Sequence, residues 1–121
     1  MEETSLVIEG MPLSVNQTYK TRRASRAMYL SDKARSYSDS ARWQAKAQWI
    51  GKKLLRDDLE VFYFYYFGDY RIHDHLNYNK ALSDSLNQIV WQDDRQIKVS
   101  HHYTRYDKQK PRVEIVIRRL S

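Results

Sequence analysis

The 121-residue chain contains no cysteine, only three glycines and no long apolar run. The lack of cysteine excludes a disulfide framework and a zinc–thiolate site, and it suits a reducing compartment. Three glycines are too few for the glycine-rich loops that cradle nucleotide phosphates. No segment approaches the ~20 apolar residues a membrane-spanning helix requires. The opening Met1-Glu2-Glu3-Thr4 is acidic and no apolar run follows it, so it does not read as a signal peptide. A cytoplasmic protein without membrane contact is expected. No serine, histidine and aspartate fall in an order that suggests a nucleophilic triad.

What is present is positive charge. Twenty-one Lys and Arg stand against 15 Asp and Glu, a net +6 that favours a polyanionic partner. A chain of this length is expected to form one domain over residues 1–121, with a small core. Ser5–Glu9 alternates around Leu6, Val7 and Ile8 and reads as a strand stopped by Gly10-Met11-Pro12. Leu13 to Arg26 is polar and basic without a clear period and reads as a loop with room for short strands. Ala27–Leu30 reads as a short strand. Ser31 has the character of a helix N-cap, with Asp32 in the first turn. That helix is expected to reach about Lys53, with Trp43, Ala47, Ile50 and Leu54 as its buried stripe. Leu59–Phe67 is aromatic or β-branched at seven of nine positions and reads as a strand apolar on both faces, central in a sheet. A second helix is expected from Asp74 or a neighbour to about Val90. Arg95–Arg105 alternates through Ile97, Val99, His101 and Tyr103, and Arg112–Arg119 through Val113, Ile115 and Ile117. Joined by Asp107–Pro111, the two look like an antiparallel pair.

The chemistry-bearing stretch is Asp74-His75-Leu76-Asn77-Tyr78-Asn79-Lys80, followed about one helix later by Asp93-Asp94. At about 100° per residue, Tyr78, Leu82, Leu86 and Ile89 share one side of the second helix. Asn77, Lys80 and Asp84 fall within about 60° of each other on nearly the opposite side. One reading is an ordinary amphipathic helix, capped by Asp74 and carrying a Lys80–Asp84 ion pair. The other is a nuclease inventory, in which carboxylates hold a divalent metal against a phosphate and a lysine stabilises charge or orients water. Asp93-Asp94 reads equally as a charged turn or as carboxylates folding back toward Asp74. His73 and His75 flank Asp74 but lack the further ligands most metal sites need. His101 and His102 lie on successive faces of a strand and read as structural or as phosphate contacts.

These segments resemble the RusA family of Holliday junction resolvases, over nearly the whole chain from about Leu6 to about Ile117. Gly10-Met11-Pro12-Leu13-Ser14-Val15-Asn16, with Tyr19 after it, is similar to the family's Pro-x-Ser-x-Asn opening. Asp74, Asn77 and Lys80 fall on its central Asp-x-Asp-Asn-x-x-Lys motif. Ala81 and Asp84-Ser85-Leu86-Asn87 resemble its Asp-Ala-Leu helix. Val90-Trp91-Gln92-Asp93-Asp94-Arg95-Gln96-Ile97 resembles its aromatic-x-Asp-Asp-x-Gln-aliphatic ending. The chain departs from the pattern at Leu76, where the family's second central acid would fall.

The resemblance implies an α/β (α+β) domain with a mixed β-sheet and two main helices, paired as a homodimer. It implies a metal-dependent endonuclease that cuts four-way DNA junctions in recombination and repair, with Mg²⁺ or Mn²⁺ and no small-molecule cofactor. Asp74, Lys80 and Asp94 would be catalytic, and Asp74, Asp94 and Asp93 would hold the metal, with Asn77 and Asp84 in support. Lys20, Arg22, Arg23 and Arg26, with Arg42 and Lys46 of the first helix, would grip phosphates without reading sequence. Ten Tyr and three Trp are hard to bury fully in so small a protein, which independently points to an interface. The rival reading is a catalytically impaired binder of branched nucleic acid on the same fold, its metal site broken at Leu76. A third is a basic structural protein with a solvated acidic face.

Overall fold

The molecule is organised around Leu59–Phe67, the strand whose side chains are apolar toward both faces. A computed structural model describes residues 3–12, 19–21, 28–30, 32–69 and 79–120, with backbone alone at 19–21, 28–30, 33–34 and 79–81. In chain order the elements are β1 (Glu3–Glu9), β2 (Tyr19–Thr21), β3 (Met28–Leu30), α1 (Asp32–Gln48), β4 (Leu59–Phe67) and α2 (Asn79–Ser85). A 3-10 turn (Asp94–Gln96), β5 (Ile97–Tyr106) and β6 (Arg112–Arg119) follow. The main sheet is mixed, in the order β1-β6-β4-β5, and β2 pairs with β3 as a separate antiparallel ribbon. The predicted fold class, an α/β arrangement of a mixed sheet with two helices, is what the chain adopts.

β4 is central, as its composition predicts. Leu59, Val61, Tyr63, Tyr65 and Phe67 are fully buried on the inner face, and Glu60, Phe62, Phe64 and Tyr66 are half-buried on the outer one. The inner face packs with Leu6 and Ile8 of β1, Val113, Ile115 and Ile117 of β6, and the buried side chains of both helices in one cluster.

Three expectations are corrected. The first is that β5 and β6 do not pair with each other. β4 lies between them, parallel to β5 and antiparallel to β6. The connection Asp107–Pro111 is therefore a crossover over the end of β4. Asp107 donates its N–H to Phe67 O at 2.9 Å, and Pro111 passes so close to Gly68 that a Cβ there would lie 2.9 Å from Pro111 Cγ. A strand apolar on both faces gains more by taking two neighbours than by standing at an edge.

Secondly, α1 ends at Gln48, and Gly51, with φ +78°, turns the chain away. Its buried stripe is Ala41, Ala45 and Trp49, whereas Trp43 and Ile50 are 75% and 81% exposed. The alanines let the helix backbone approach the sheet. Its rotation is fixed by Gln44 and Gln48, one turn apart, which bond the main chain of β1. Glu9 N and Val7 N donate to Gln44 Oε1 and Gln48 Oε1 at 2.6 and 2.8 Å. The two side-chain amides donate back to Glu9 O and Val7 O at 3.0 and 2.6 Å.

Thirdly, the second helix stops at Ser85 rather than near Val90. Gln88 adopts φ +67° and donates its N–H to Trp91 O at 2.7 Å, closing a turn. The fully buried Trp91 anchors that turn and donates Nε1–H to Asn87 Oδ1 at 2.9 Å. The expected start of this helix at Asp74, and the Ser31 cap of α1, lie outside the described residues.

Candidate active site

Two buried serines aim the acid between them. In α2, Leu82 and Leu86 are fully buried in the core, which holds one face of the short helix against β4. Ser83 meets the Tyr63 hydroxyl at 3.1 Å, and Ser85 meets Ser38 of α1 at 2.9 Å. Asp84, exposed between them, points away from the core. Arg42 donates to Ser85 O at 3.0 Å and, more loosely, to Asn87 O at 3.5 Å. Arg42 thereby ties the two helices together and supplies a cation near the C-terminal end of α2, where the helix dipole favours one.

Asp93 and Asp94 arrive from the other direction and do different things. Asp93 caps the 3-10 turn. Its Oδ1 accepts from Arg95 N at 2.9 Å, while its own N–H donates to Gln96 Oε1 at 2.9 Å, a reciprocal capping box. Gln96 also donates to Leu55 O at 3.0 Å and Asp57 O at 2.9 Å, fastening the turn to the chain that leads into β4. The Arg95 N–H bond, above all, holds the Asp93 carboxyl below its usual range.

Asp94, the next residue, faces Asp84. Burial first, and then the charge of Asp84 and hydrogen bonding to the Asp93 and Asp84 carboxyls, raise its carboxyl above the ordinary range. Tyr63 lies beneath the pair. Burial pushes its phenol far up, and the negative charge of Asp94 adds to the shift.

Asp84 and Asp94 thus bring two hard oxygen donors together at a partly buried spot, where their mutual repulsion is relieved by a proton or a cation. That chemistry suits Mg²⁺ or Mn²⁺, which take carboxylate oxygens. Among the described residues no group of three or more His, Cys, Asp and Glu is arranged to hold a metal ion. Asp74 lies outside the described residues, together with Leu76, Asn77, His73 and His75. Lys80 stands in the first turn of α2 and Lys20 in β2, but only their backbones are described. Arg22, Arg23 and Arg26 also lie outside. Lys46 is on the exposed side of α1, its Nζ 6.0 Å from the Trp43 ring.

Sequence reasoning placed Asp84 in a supporting role, and the structure brings it face to face with Asp94. It also missed Ser83, Tyr63 and Gln96. The Asp93-x-x-Gln96 spacing is a capping-box signal that could have identified Asp93 as a cap. A further basic feature was missed altogether. A cleft of about 400 Å³ is lined by Arg56, Arg95 and Lys98 together with Asp58 and Asp93, the last 3.2 Å from Arg95.

No curated protein matches the chain at a significant level. The family model described as endodeoxyribonuclease RusA matches residues 9–118, from the last residue of β1 to Arg118 of β6, and takes in β2 to β5, both helices and the Asp93-Asp94 turn. The chain belongs to the RusA endodeoxyribonuclease family.

Proposed function

We propose that this chain, acting as one domain within a two-fold dimer, hydrolyses DNA phosphodiesters at four-way junctions with Mg²⁺ or Mn²⁺. The observation that carries the reading is the convergence of Asp94 and Asp84 in a chain of this family. Asp94, Asp84 and Asp74 would hold the cation, and Asp93 would contribute chiefly by fixing the turn that presents Asp94. When bound, the cation would supply Lewis acidity toward the phosphate and offset its charge. Lys80 would stabilise negative charge as it develops or position water, and Asn77 would help to orient the segment. Lys20, Arg22, Arg23, Arg26 and Lys46 would grip phosphates, with part of Arg42 already committed to α2. Arg56, Arg95 and Lys98 extend that grip along the cleft beside the acids. A junction has approximate two-fold symmetry, which a symmetric dimer matches by presenting one site to each of two strands. A chromosomal substrate would place the protein with DNA in the cytoplasm.

Leu76 supports a second reading, an impaired member that binds junctions without cutting them. Cleavage of a labelled four-way junction, with and without Mn²⁺ and against a linear duplex, separates the two. Metal-dependent, junction-selective cleavage supports the first. Salt-sensitive binding without cleavage supports the second, and failure to bind the junction refutes both. Leu76→Asp sharpens the test. If position 76 faces the cation, the variant should cut faster and bind Mn²⁺ more tightly. If Leu76 instead packs as an apolar anchor, the new carboxylate should cost ~1–3 kcal/mol of stability with no gain in cleavage.

A further inference from the structure

A hollow of about 340 Å³ opens beside the C-terminal end of α1, and its lining shares no residue with the acidic site. Gly51, at φ +78°, turns the chain out of α1. Leu55 then joins the Trp91 turn, donating its N–H to Val90 O at 2.9 Å and accepting from Gln92 N at 3.1 Å. The hollow lies next to this connection, at the end of the β1–β6 pair where Thr4 and Ile117 are register partners. Its floor is apolar. Trp49 and Ile117 are buried, and Leu55 is half-buried against the core. Its volume is at the small end of ligand sites and suits one large side chain.

The rim is basic. Lys52, Lys53 and Arg119 line it, and among the described residues no acid does. Lys52 holds its Nζ 4.8 Å from the centroid of the Trp49 ring, and Trp49 donates Nε1–H to Lys53 O at 3.1 Å. The residue that forms the floor therefore also places the two lysines. Arg119 pairs with Asp57 at 3.4 Å, an exposed contact. A simpler role for the lysines is to offset the C-terminal end of α1, where a helix favours cations. That effect fades within the last turn, and it does not account for an apolar hollow between the charges.

The lining selects its occupant. Lysine and arginine side chains only donate, so they call for a group that only accepts, a carboxylate or a phosphate. A nucleic acid would meet the cations with phosphates but would bring a sugar or a base to the floor. A base edge carries donors as well as acceptors, and the floor side chains offer it only the Thr4 hydroxyl, because the Trp49 indole N–H is already used. A polypeptide with an aromatic or long aliphatic side chain beside Asp or Glu meets both needs, with hydrocarbon on the floor and carboxylates on the rim. An apolar anchor in a pocket with a charged rim is a common centre of protein recognition. The net +6 of the chain adds attraction for an acidic partner.

We infer that this hollow docks an acidic segment of a partner protein, seating one large apolar side chain on Trp49, Leu55 and Ile117 while neighbouring carboxylates meet Lys52, Lys53 and Arg119. Nothing in it depends on cleavage, so it stands or falls apart from the nuclease reading. The probe is an unlabelled acidic peptide with one phenylalanine flanked by aspartates, titrated into the full chain by calorimetry. It should bind, and exchanging its phenylalanine for serine, or its aspartates for asparagine, should each weaken binding at least roughly tenfold. Lys52→Glu with Lys53→Glu, both exposed, should do the same with an unchanged circular dichroism spectrum. Lys108→Glu with Lys110→Glu, the same charge change in the β5–β6 crossover, should leave the affinity within about threefold.

A second measurement needs no variant. In nitrogen-15 spectra of the wild type, the peptide should move the indole N–H resonance of Trp49 and leave that of Trp43, 75% exposed on the outer side of α1, in place. Binding that is equal with and without the phenylalanine, or that falls equally in both charge-reversed variants, would be unspecific charge attraction and overturns the proposal. So does a peptide that moves Trp43 in place of Trp49, or a lack of binding at millimolar concentration with phenylalanine, leucine or tryptophan as the anchor. A single-stranded oligonucleotide that displaces the peptide and moves Trp49 would assign the hollow to nucleic acid, and decanoate doing so would assign it to a small amphiphile. Either result overturns the docking of a protein segment.

Discussion

Asp93 and Asp94 are adjacent in sequence and opposite in task, and the difference lies in one turn of backbone. Asp93 holds the turn through the capping box with Arg95 and Gln96, and Asp94 is thereby turned toward Asp84. The family resemblance implies a metal-ligand role for both acids, because a motif cannot show which of two neighbouring carboxylates has its lone pairs taken by backbone N–H groups. The division predicts unequal responses. Asp94→Asn keeps the shape but removes the charge, so it should lower junction cleavage on the order of a hundredfold or more, ~3 kcal/mol of barrier, with little change in melting temperature. Asp93→Asn still caps and should cut nearly as well as wild type. Asp93→Ala should melt earlier and lose cleavage through the misplaced turn. Equal losses of cleavage for the two asparagine variants, with stability unchanged, would show that both acids act directly.

At the scale of elements, type and order were legible, and partners were not. The dense aromatic and β-branched run Leu59–Phe67 is a local signal, and it gives β4 with the bounds observed. Which side of a helix is buried depends on what it meets. In α1 the large residues Trp43 and Ile50 suggested one stripe, but small alanines and the pair of glutamines on β1 select another. The five-residue link between β5 and β6 fits a hairpin or a crossover equally well by length. Only β4, more than thirty residues upstream, decides between them.

Two variants test these devices. Gly68→Ala places a methyl 2.9 Å from Pro111 Cγ in the crossover, and a ring closed on the backbone has little room to yield. It should cost ~1–3 kcal/mol in denaturant unfolding, and an unchanged midpoint would mean the crossover is loose. Gln44→Leu with Gln48→Leu removes four hydrogen bonds from the edge of β1. These are exposed, so the loss should be modest, roughly 1–2 kcal/mol. The freed edge should also raise concentration-dependent aggregation, read by light scattering, and a variant that is equally stable and equally soluble would deny the glutamines this role.

For the molecule as a whole, the core is unusual in being built partly from phenols. Tyr63 and Tyr65 of β4 are fully buried and Tyr37 of α1 is half-buried with its hydroxyl withdrawn from water, and burial is the leading cause that drives each phenol far above its ordinary value. Tyr63 ends on Ser83 beneath the acidic pair and Tyr65 on His102 at 3.0 Å, so the phenols link the core to the site and to β5. The consequence for stability has a definite sign. In the folded chain these groups stay protonated, whereas in the unfolded chain they ionise near pH ~10. Their contribution is therefore fully present below pH ~10 and is lost progressively above it, as protons leave the unfolded state first. Phenolate absorbance should accordingly rise in two stages, the second of which, as Tyr37, Tyr63 and Tyr65 ionise, should coincide with the collapse of the far-UV circular dichroism. Tyr63→Phe should diminish the second stage, and it should cost about 1 kcal/mol near neutrality through the lost Ser83 contact. If all ten tyrosines ionised in one stage while the circular dichroism stayed native, the phenols would have to reach solvent without unfolding, and the packed inner face of β4 would be refuted.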